Sequence, residues 1–164
     1  MHGGKNVKFK QFQFLKNEAI KKLTALEEEP LRLRKRTIEE CLSADAVMLA
    51  YIGDAVYSMY VRERVVQMNI TKVQILHTIV TEFICSKSQA KVLLEIENTF
   101  TEDEQAIARR ARNSKVNVPK SSTVQEYRSS TAFEAVLGFL YETRQGYRLQ
   151  HILGQAFSRT LRGM

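Results

Sequence analysis

The segment from Ala46 to Val61 constrains this chain most, because it reads AVMLAYIGDAVYSMYV and carries one charge in sixteen residues. It is too short to cross a bilayer easily, since a spanning helix needs about 20 apolar residues. A helix that is apolar on every side is normally buried in the protein. The sequence therefore predicts a central helix whose only acid, Asp54, is buried or half buried.

A second segment, from Ser129 to Tyr141, has the same character. It reads SSTAFEAVLGFLY, and Glu134 is its only charge. An unpaired carboxylate in apolar surroundings is strongly unfavourable, so each acid needs a partner. An ion pair with Arg or Lys, or a hydrogen bond at a helix end, would supply one. Alternatively, Asp54 and Glu134 lie side by side and share a divalent cation, for which Mg²⁺ suits hard oxygen ligands. Spacing alone leaves both interpretations open.

One glycine lies near each of these acids. Gly53 precedes Asp54, and Gly138 follows Glu134 by about one turn. Glycine inside a helix costs about 1 kcal/mol relative to alanine, so its presence favours a close approach of two helices. Close packing here would bring the two acid-bearing helices together.

The remaining pattern predicts an all-α fold. Only 7 Gly and 2 Pro leave little turn chemistry for a β-sandwich or barrel. Residues 5–26 have helical spacing, and another helix is predicted from near Ser43 to about Met68. Residues 1–42 form a basic helical extension of open role, and residues 43–164 form the compact domain. Later helices are predicted to begin at capping boxes. These pair Thr71 with Gln74, Thr101 with Glu104, and Thr123 with Glu126.

The chain is basic, with 25 Lys and Arg against 18 Asp and Glu, a formal charge of +7. Much of the excess lies between Gln105 and Ser130, around a predicted loop at 113–122. Arg and Lys mixed with small polar donors are typical of contacts to a nucleic-acid backbone. Tyr127 is the only aromatic residue there, which favours duplex RNA over stacked single strands. Alternatively, these basic residues form a solvated surface that does not bind RNA. The candidate RNA-binding residues are Arg109, Arg110, Arg112, Asn113, Lys115, Lys120 and Arg128.

The two cysteines, Cys41 and Cys85, form neither a disulfide framework nor a metal-ligand spacing. The first residues, MHGGKNVKFK, contain no apolar signal core. We therefore expect a protein of the reducing cytoplasm that does not enter a membrane.

Several short strings resemble the ribonuclease III catalytic domain, in the form found in the Mini-III ribonucleases. Their order and spacing cover about residues 43–160. The strings are Leu49-Ala50-Tyr51-Ile52-Gly53-Asp54-Ala55-Val56, Tyr60-Val61-Arg62, Ser86-Lys87-Ser88-Gln89-Ala90, Arg112-Asn113-Ser114-Lys115, Pro119-Lys120, Tyr127-Arg128 and Ser130-Thr131-Ala132-Phe133-Glu134-Ala135.

The resemblance implies an all-α domain that forms a symmetric homodimer and cleaves double-stranded RNA with Mg²⁺. It places the catalytic and metal-binding acids on Asp54 and Glu134. It also implies precursor large-subunit (23S) ribosomal RNA as the substrate and leaves a ribosomal-protein helper open. Larger ribonuclease III enzymes carry further acids where this chain has Ala50 and Thr131. Mini-III members share that smaller set of acids.

These features favour a metal-dependent endoribonuclease that leaves 5′-phosphate and 3′-hydroxyl ends. Because Ala50 and Thr131 replace acids of the larger enzymes, an alternative function remains. It is a non-catalytic RNA-binding module with a dead ribonuclease III fold. A helical hydrolase of small phosphates is a further rival. It would need acids clustered at i, i+4 spacing, which the sequence does not offer.

Overall fold

The computed structural model describes residues 3–27, 34–115 and 117–164. No β-strand occurs in these ranges, which confirms the all-α prediction. Within the same ranges, no helix combines the length and apolar character that a membrane crossing requires. The helices are α1 (Gly3–Glu27), α2 (Ile38–Ser43), α3 (Ala46–Val66), α4 (Val73–Ile84), α5 (Ser86–Ile96), α6 (Glu102–Arg112), α7 (Val124–Glu142) and α8 (Gly146–Arg162), with a 3₁₀ turn at Glu97–Thr99.

The chain divides into two compact units after Arg34. The first unit contains α1, whose bounds match the predicted helix over residues 5–26. The side chains of Phe9, Phe12 and Phe14 on α1 are all exposed.

The second unit begins at Lys35 and contains the other helices. The Lys35 Nζ lies 3.5 Å from a Glu142 carboxylate oxygen, and the Arg36 backbone N–H donates to the Glu142 carbonyl at 3.1 Å. The short helix α2 packs against α6 and α7. The division therefore falls ahead of the boundary predicted near residue 42, because α2 packs with the second unit.

Helix α7 lies at the centre of the second unit, with α3, α5, α6 and α8 packed around it. Its Phe133, Leu137 and Leu140 side chains are fully buried. The ring of Tyr57 on α3 meets Phe133 edge to face, with 5.2 Å between the ring centres. This packing holds α3 and α7 together along much of their length.

Two of the three predicted capping boxes are confirmed, those that begin at Thr101 and Thr123. At α6 the Glu104 backbone N–H donates to the Thr101 hydroxyl, and the Thr101 N–H donates to the Glu104 carboxylate. The box predicted at Thr71 is wrong. Helix α4 begins at Val73 because Lys72 is extended (φ −86°, ψ 101°), which leaves Thr71 outside the helix.

Helix α2 was not predicted, although its signal is present in the sequence. Thr37 and Glu40 form a capping box, with hydrogen bonds of 3.2 and 2.9 Å between each side chain and the other residue's N–H. The extended backbone of Ala44 (φ −69°, ψ 164°) ends α2. Consequently α3 begins at Ala46, with Asp45 as its cap, rather than near Ser43.

Candidate active site

Helices α3 and α7 touch backbone to backbone through two glycines. A Cβ added to Gly53 would lie 1.8 Å from the Glu134 carbonyl oxygen. A Cβ added to Gly138 would lie 1.8 Å from the Leu49 carbonyl oxygen. Real Cβ atoms do not approach other atoms this closely, so the crossing requires glycine at both positions. The predicted close packing of the two helices is confirmed, and it sets Gly53, the residue before Asp54, against the backbone of Glu134.

The carboxyl of Glu134 is half buried, and its pKa is raised to about 8. Burial is the main cause, and the negative charge of Asp54 is the second. The side chain of Gln89 acts in the opposite direction and lowers this pKa. Within the described ranges, neither Asp54 nor Glu134 takes part in an ion pair. The structure therefore brings the two acids close enough to repel, and a basic side chain does not relieve that repulsion.

The expectation that Asp54 is buried is wrong for the single chain, because its side chain is exposed. Helix α3 buries Leu49, Gly53 and Tyr57 against the rest of the unit. The opposite side of α3 is left uncovered, and Tyr51 there is 81% exposed. Apolar residues on every side of a helix thus marked two different surfaces, one packed in the core and one facing outward.

The two carboxylates fit a divalent cation such as Mg²⁺. Mg²⁺ is commonly held by one or two carboxylates, while water and substrate phosphates complete its shell. A cation would also relieve the repulsion that raises the pKa of Glu134. In the parts of the chain that the structure describes, no three His, Cys, Asp or Glu residues form a metal-binding group. The assignment of Asp54 and Glu134 as the ligands of such an ion stays a prediction.

Ala50 and Thr131, the two positions at which the family resemblance implied a smaller set of acids, are both buried. The Thr131 hydroxyl donates a hydrogen bond to the Tyr127 carbonyl at 2.9 Å. Ala50 has no oxygen to offer a cation, and the Thr131 hydroxyl is used as a donor to the backbone of its own helix.

Gln89 on α5 is a polar neighbour of the site that sequence reasoning did not single out. Its side chain is almost completely buried, and it approaches the Glu134 carboxyl closely enough to lower that group's pKa. It does so without reaching hydrogen-bond geometry. Gln89 stood in one of the family-like strings, but no spacing rule shows which side chain of a helix faces a buried acid.

The predicted RNA-binding residues differ in their surroundings. The Arg110 guanidinium donates to the carbonyls of Leu42 and Ala44 and so caps the end of α2. Arg112 forms an ion pair with Glu97 at 2.7 Å. Both arginines thus have structural partners. The others are exposed, namely Arg109, Asn113, Lys115, Lys120 and Arg128. A role in RNA binding stays a prediction for all seven.

The raised pKa of Glu134 gives a testable dependence of stability on pH in metal-free protein. Between pH 4.5 and about 8 the folded carboxyl keeps its proton and the unfolded one has lost it. The free energy of unfolding should therefore fall as pH rises through this window, by at most about 1.4 kcal/mol per pH unit from this group. Denaturant unfolding with a chelator at pH 5 to 8.5 measures it. The Glu134→Gln variant should lose this contribution, and an identical slope in both proteins would contradict the environment assigned to Glu134.

Comparison with known proteins agrees with the geometry. A sequence profile of the ribonuclease III domain matches residues 47–145. A Mini-ribonuclease 3 of Thermoanaerobacter sp. is 42% identical over 71% of this chain and 83% of its own length. A Mini-ribonuclease 3 of Symbiobacterium thermophilum is 39% identical over 70% of this chain and 89% of its own length. A crystal structure of a Fusobacterium nucleatum protein superposes with a TM-score of 0.66 at 28% identity, covering 71% of this chain and 93% of that one.

The matched region contains both acid-bearing helices and the glycines at their crossing. The chain therefore belongs to the ribonuclease III family of endoribonucleases, in its Mini-ribonuclease 3 branch. Residues 1–46 precede the matched ribonuclease III domain.

Proposed function

We propose that this protein is a Mg²⁺-dependent endoribonuclease of double-stranded RNA that matures precursor large-subunit (23S) ribosomal RNA in the cytoplasm. The observation that carries the proposal is the pairing of Glu134 with Asp54 at the backbone contact of α3 and α7. Two carboxylates in that position suit phosphodiester chemistry on a basic protein better than they suit a structural role. The precursor ribosomal RNA follows from the family resemblance, which leaves a ribosomal-protein helper open.

The mechanism assigns different tasks to the two acids. When bound, Mg²⁺ lowers the pKa of a coordinated water and stabilises the charge on the leaving 3′ oxygen. Glu134 would give up its proton on binding the ion, and the exposed Asp54 would hold the ion together with it. Attack of water on phosphorus would break the bond to the 3′ oxygen and leave a 5′-phosphate and a 3′-hydroxyl.

Duplex RNA distinguishes this function from its rivals. We expect Mg²⁺-dependent cleavage of a long RNA duplex and little cleavage of either strand alone. Binding without cleavage under any divalent cation would favour the non-catalytic RNA-binding module. Hydrolysis of nucleotides in preference to the duplex would favour the hydrolase of small phosphates.

The exposed basic residues around α6 and the following loop are expected to hold the RNA backbone. Replacing Arg109, Lys115 and Lys120 by Ala should weaken binding to duplexes of any sequence. Each lost phosphate contact should flatten the plot of log affinity against log salt by about one unit. Affinity at several salt concentrations measures the slope. The control variant removes the same charge from Lys72, Lys91 and Arg162, which are also exposed. Equal slopes for the two variants would show that this loop does not carry the RNA.

A second copy of this chain is the proposed cover for the uncovered side of α3. Tyr51 and Met59 project from this side, and Met59 is 60% exposed. Two apolar depressions that share Ile52 run along it, one beside Tyr51 and one reaching Met59 and Tyr141. A two-fold interface buries the same patch on both subunits, so one continuous apolar face serves both copies. It would also place two active sites on one RNA duplex, so that the strands are cut at staggered positions.

Sedimentation should therefore give a homodimer at micromolar concentration. A charge at the centre of the interface should disrupt it, so Tyr51→Glu or Met59→Glu should shift the protein to monomer. Leu94→Glu is the matched control, because Leu94 is exposed to a similar degree on α5. A wild-type monomer, or an unaffected dimer in both α3 variants, would contradict this interface.

A further inference from the structure

Gln89 is buried in a way that costs stability. Its side chain is 1% exposed, and both its amide nitrogen and its amide oxygen lie out of contact with solvent. Neither atom has a hydrogen-bond partner among the described residues. Each such group destabilises the folded protein relative to a satisfied one. Methionine has a similar shape and would fill this position without that cost.

The position of the Gln89 amide indicates what it is for. Several other buried polar atoms also lack a partner in the described ranges, among them the Tyr57 hydroxyl and the side-chain amide oxygen of Gln155. Gln89 is the member of that group on α5, a helix that packs along α7, which carries Glu134. From there its amide lowers the pKa of the Glu134 carboxyl, whereas the charge of Asp54 on α3 raises it. The amide therefore approaches the more buried of the two acids from a different helix.

We propose that Gln89 is a positioning residue, whose amide nitrogen donates to one oxygen of the ionised Glu134 carboxylate and leaves the other oxygen to the divalent cation. This inference rests on the proposed metal-dependent function. A neutral amide can orient a carboxylate without competing with the cation, whereas a Lys or Arg at the same place would compete with it. Outer partners of metal ligands commonly contribute 10- to 100-fold to metal affinity or activity, so about that factor is expected here.

The Gln89→Met variant tests the proposal with Mn²⁺ as the probe. The paramagnetic resonance signal of free Mn²⁺ measures its binding to the protein without RNA. We expect the dissociation constant to rise about 10- to 100-fold. In cleavage assays, the Mg²⁺ concentration for half-maximal rate should rise by a similar factor, while KM for the duplex at saturating Mg²⁺ stays unchanged. Gln155→Met is the matched control, because it removes another buried amide oxygen, on α8. It should bind Mn²⁺ like the wild type.

The outcomes separate this inference from the function on which it rests. Wild-type Mn²⁺ affinity in Gln89→Met, with loss of binding in Asp54→Asn, would overturn the role of Gln89 and keep the carboxylate site. Equal Mn²⁺ binding by wild type and Asp54→Asn would contradict the carboxylate site itself. A structural role alone would change the melting temperature without changing Mn²⁺ affinity, and that too would overturn the proposal. If Gln89→Met does not fold, Gln89→Asn keeps the amide but shortens its reach, and it should weaken Mn²⁺ binding in the same direction.

Discussion

Asp54→Asn is expected to abolish cleavage of duplex RNA while leaving the fold and RNA binding nearly intact. The side chain is exposed, and exposed substitutions usually change the free energy of unfolding by less than about 0.5 kcal/mol. Loss of a cation ligand removes several kcal/mol of transition-state stabilisation, which corresponds to about 1000-fold or more in rate. Single-turnover cleavage and thermal unfolding of the same preparation measure both effects.

An exposed acid elsewhere on the domain provides the control for this prediction. Glu82→Gln removes a charge from an exposed position on another helix, α4. We expect it to cleave like the wild type. Normal turnover by folded Asp54→Asn would remove Asp54 from the mechanism.

Gly138→Ala should destabilise the protein by about 3 kcal/mol, the upper end of the usual cost of overpacking, because the added methyl group would overlap the Leu49 carbonyl. Alanine gains about 1 kcal/mol in helix propensity, so the steric clash decides the sign of the change. The two helices would have to separate, and the pairing of Asp54 with Glu134 would loosen with them. Gly53→Ala should behave in the same way, since its methyl group would overlap the Glu134 carbonyl.

Gly154→Ala is the matched control for the two crossing glycines. It also lies inside a helix, α8, but its added Cβ would meet only the Tyr60 hydroxyl at 3.6 Å, an ordinary contact. This variant should be as stable as the wild type or slightly more stable. Denaturant unfolding of the three variants measures the difference. A Gly138→Ala protein as stable as Gly154→Ala would show that the helix crossing is not tight.

The close crossing of α3 and α7 could be predicted from the sequence because two independent signals agree there. Asp54 and Glu134 are each the only charge in a long apolar segment, and each has a glycine nearby that a helix otherwise disfavours. Local rules of this kind also located the starts of α6 and α7 at Thr101 and Thr123.

Features that depend on neighbours distant in the sequence were missed. The exposure of Asp54 depends on which side of α3 the chain itself covers, and periodicity does not report this when every side is apolar. The Arg110 guanidinium caps α2, which lies 66 to 68 residues away in the sequence. The local sequence does not distinguish such an arginine from one that contacts a phosphate. The approach of Gln89 to Glu134 likewise requires the packing of α5 on α7.

The rate of duplex cleavage as a function of Mg²⁺ concentration tests the central claim most directly, namely that Asp54 and Glu134 together hold a cation needed for hydrolysis. The wild type should be inactive in a chelator and should recover full activity when Mg²⁺ is added. The Asp54→Asn/Glu134→Gln double variant, folded and still bound to the duplex, should stay inactive at every Mg²⁺ concentration. Cleavage by the wild type in the chelator, or Mg²⁺-dependent cleavage by the double variant, would contradict the account.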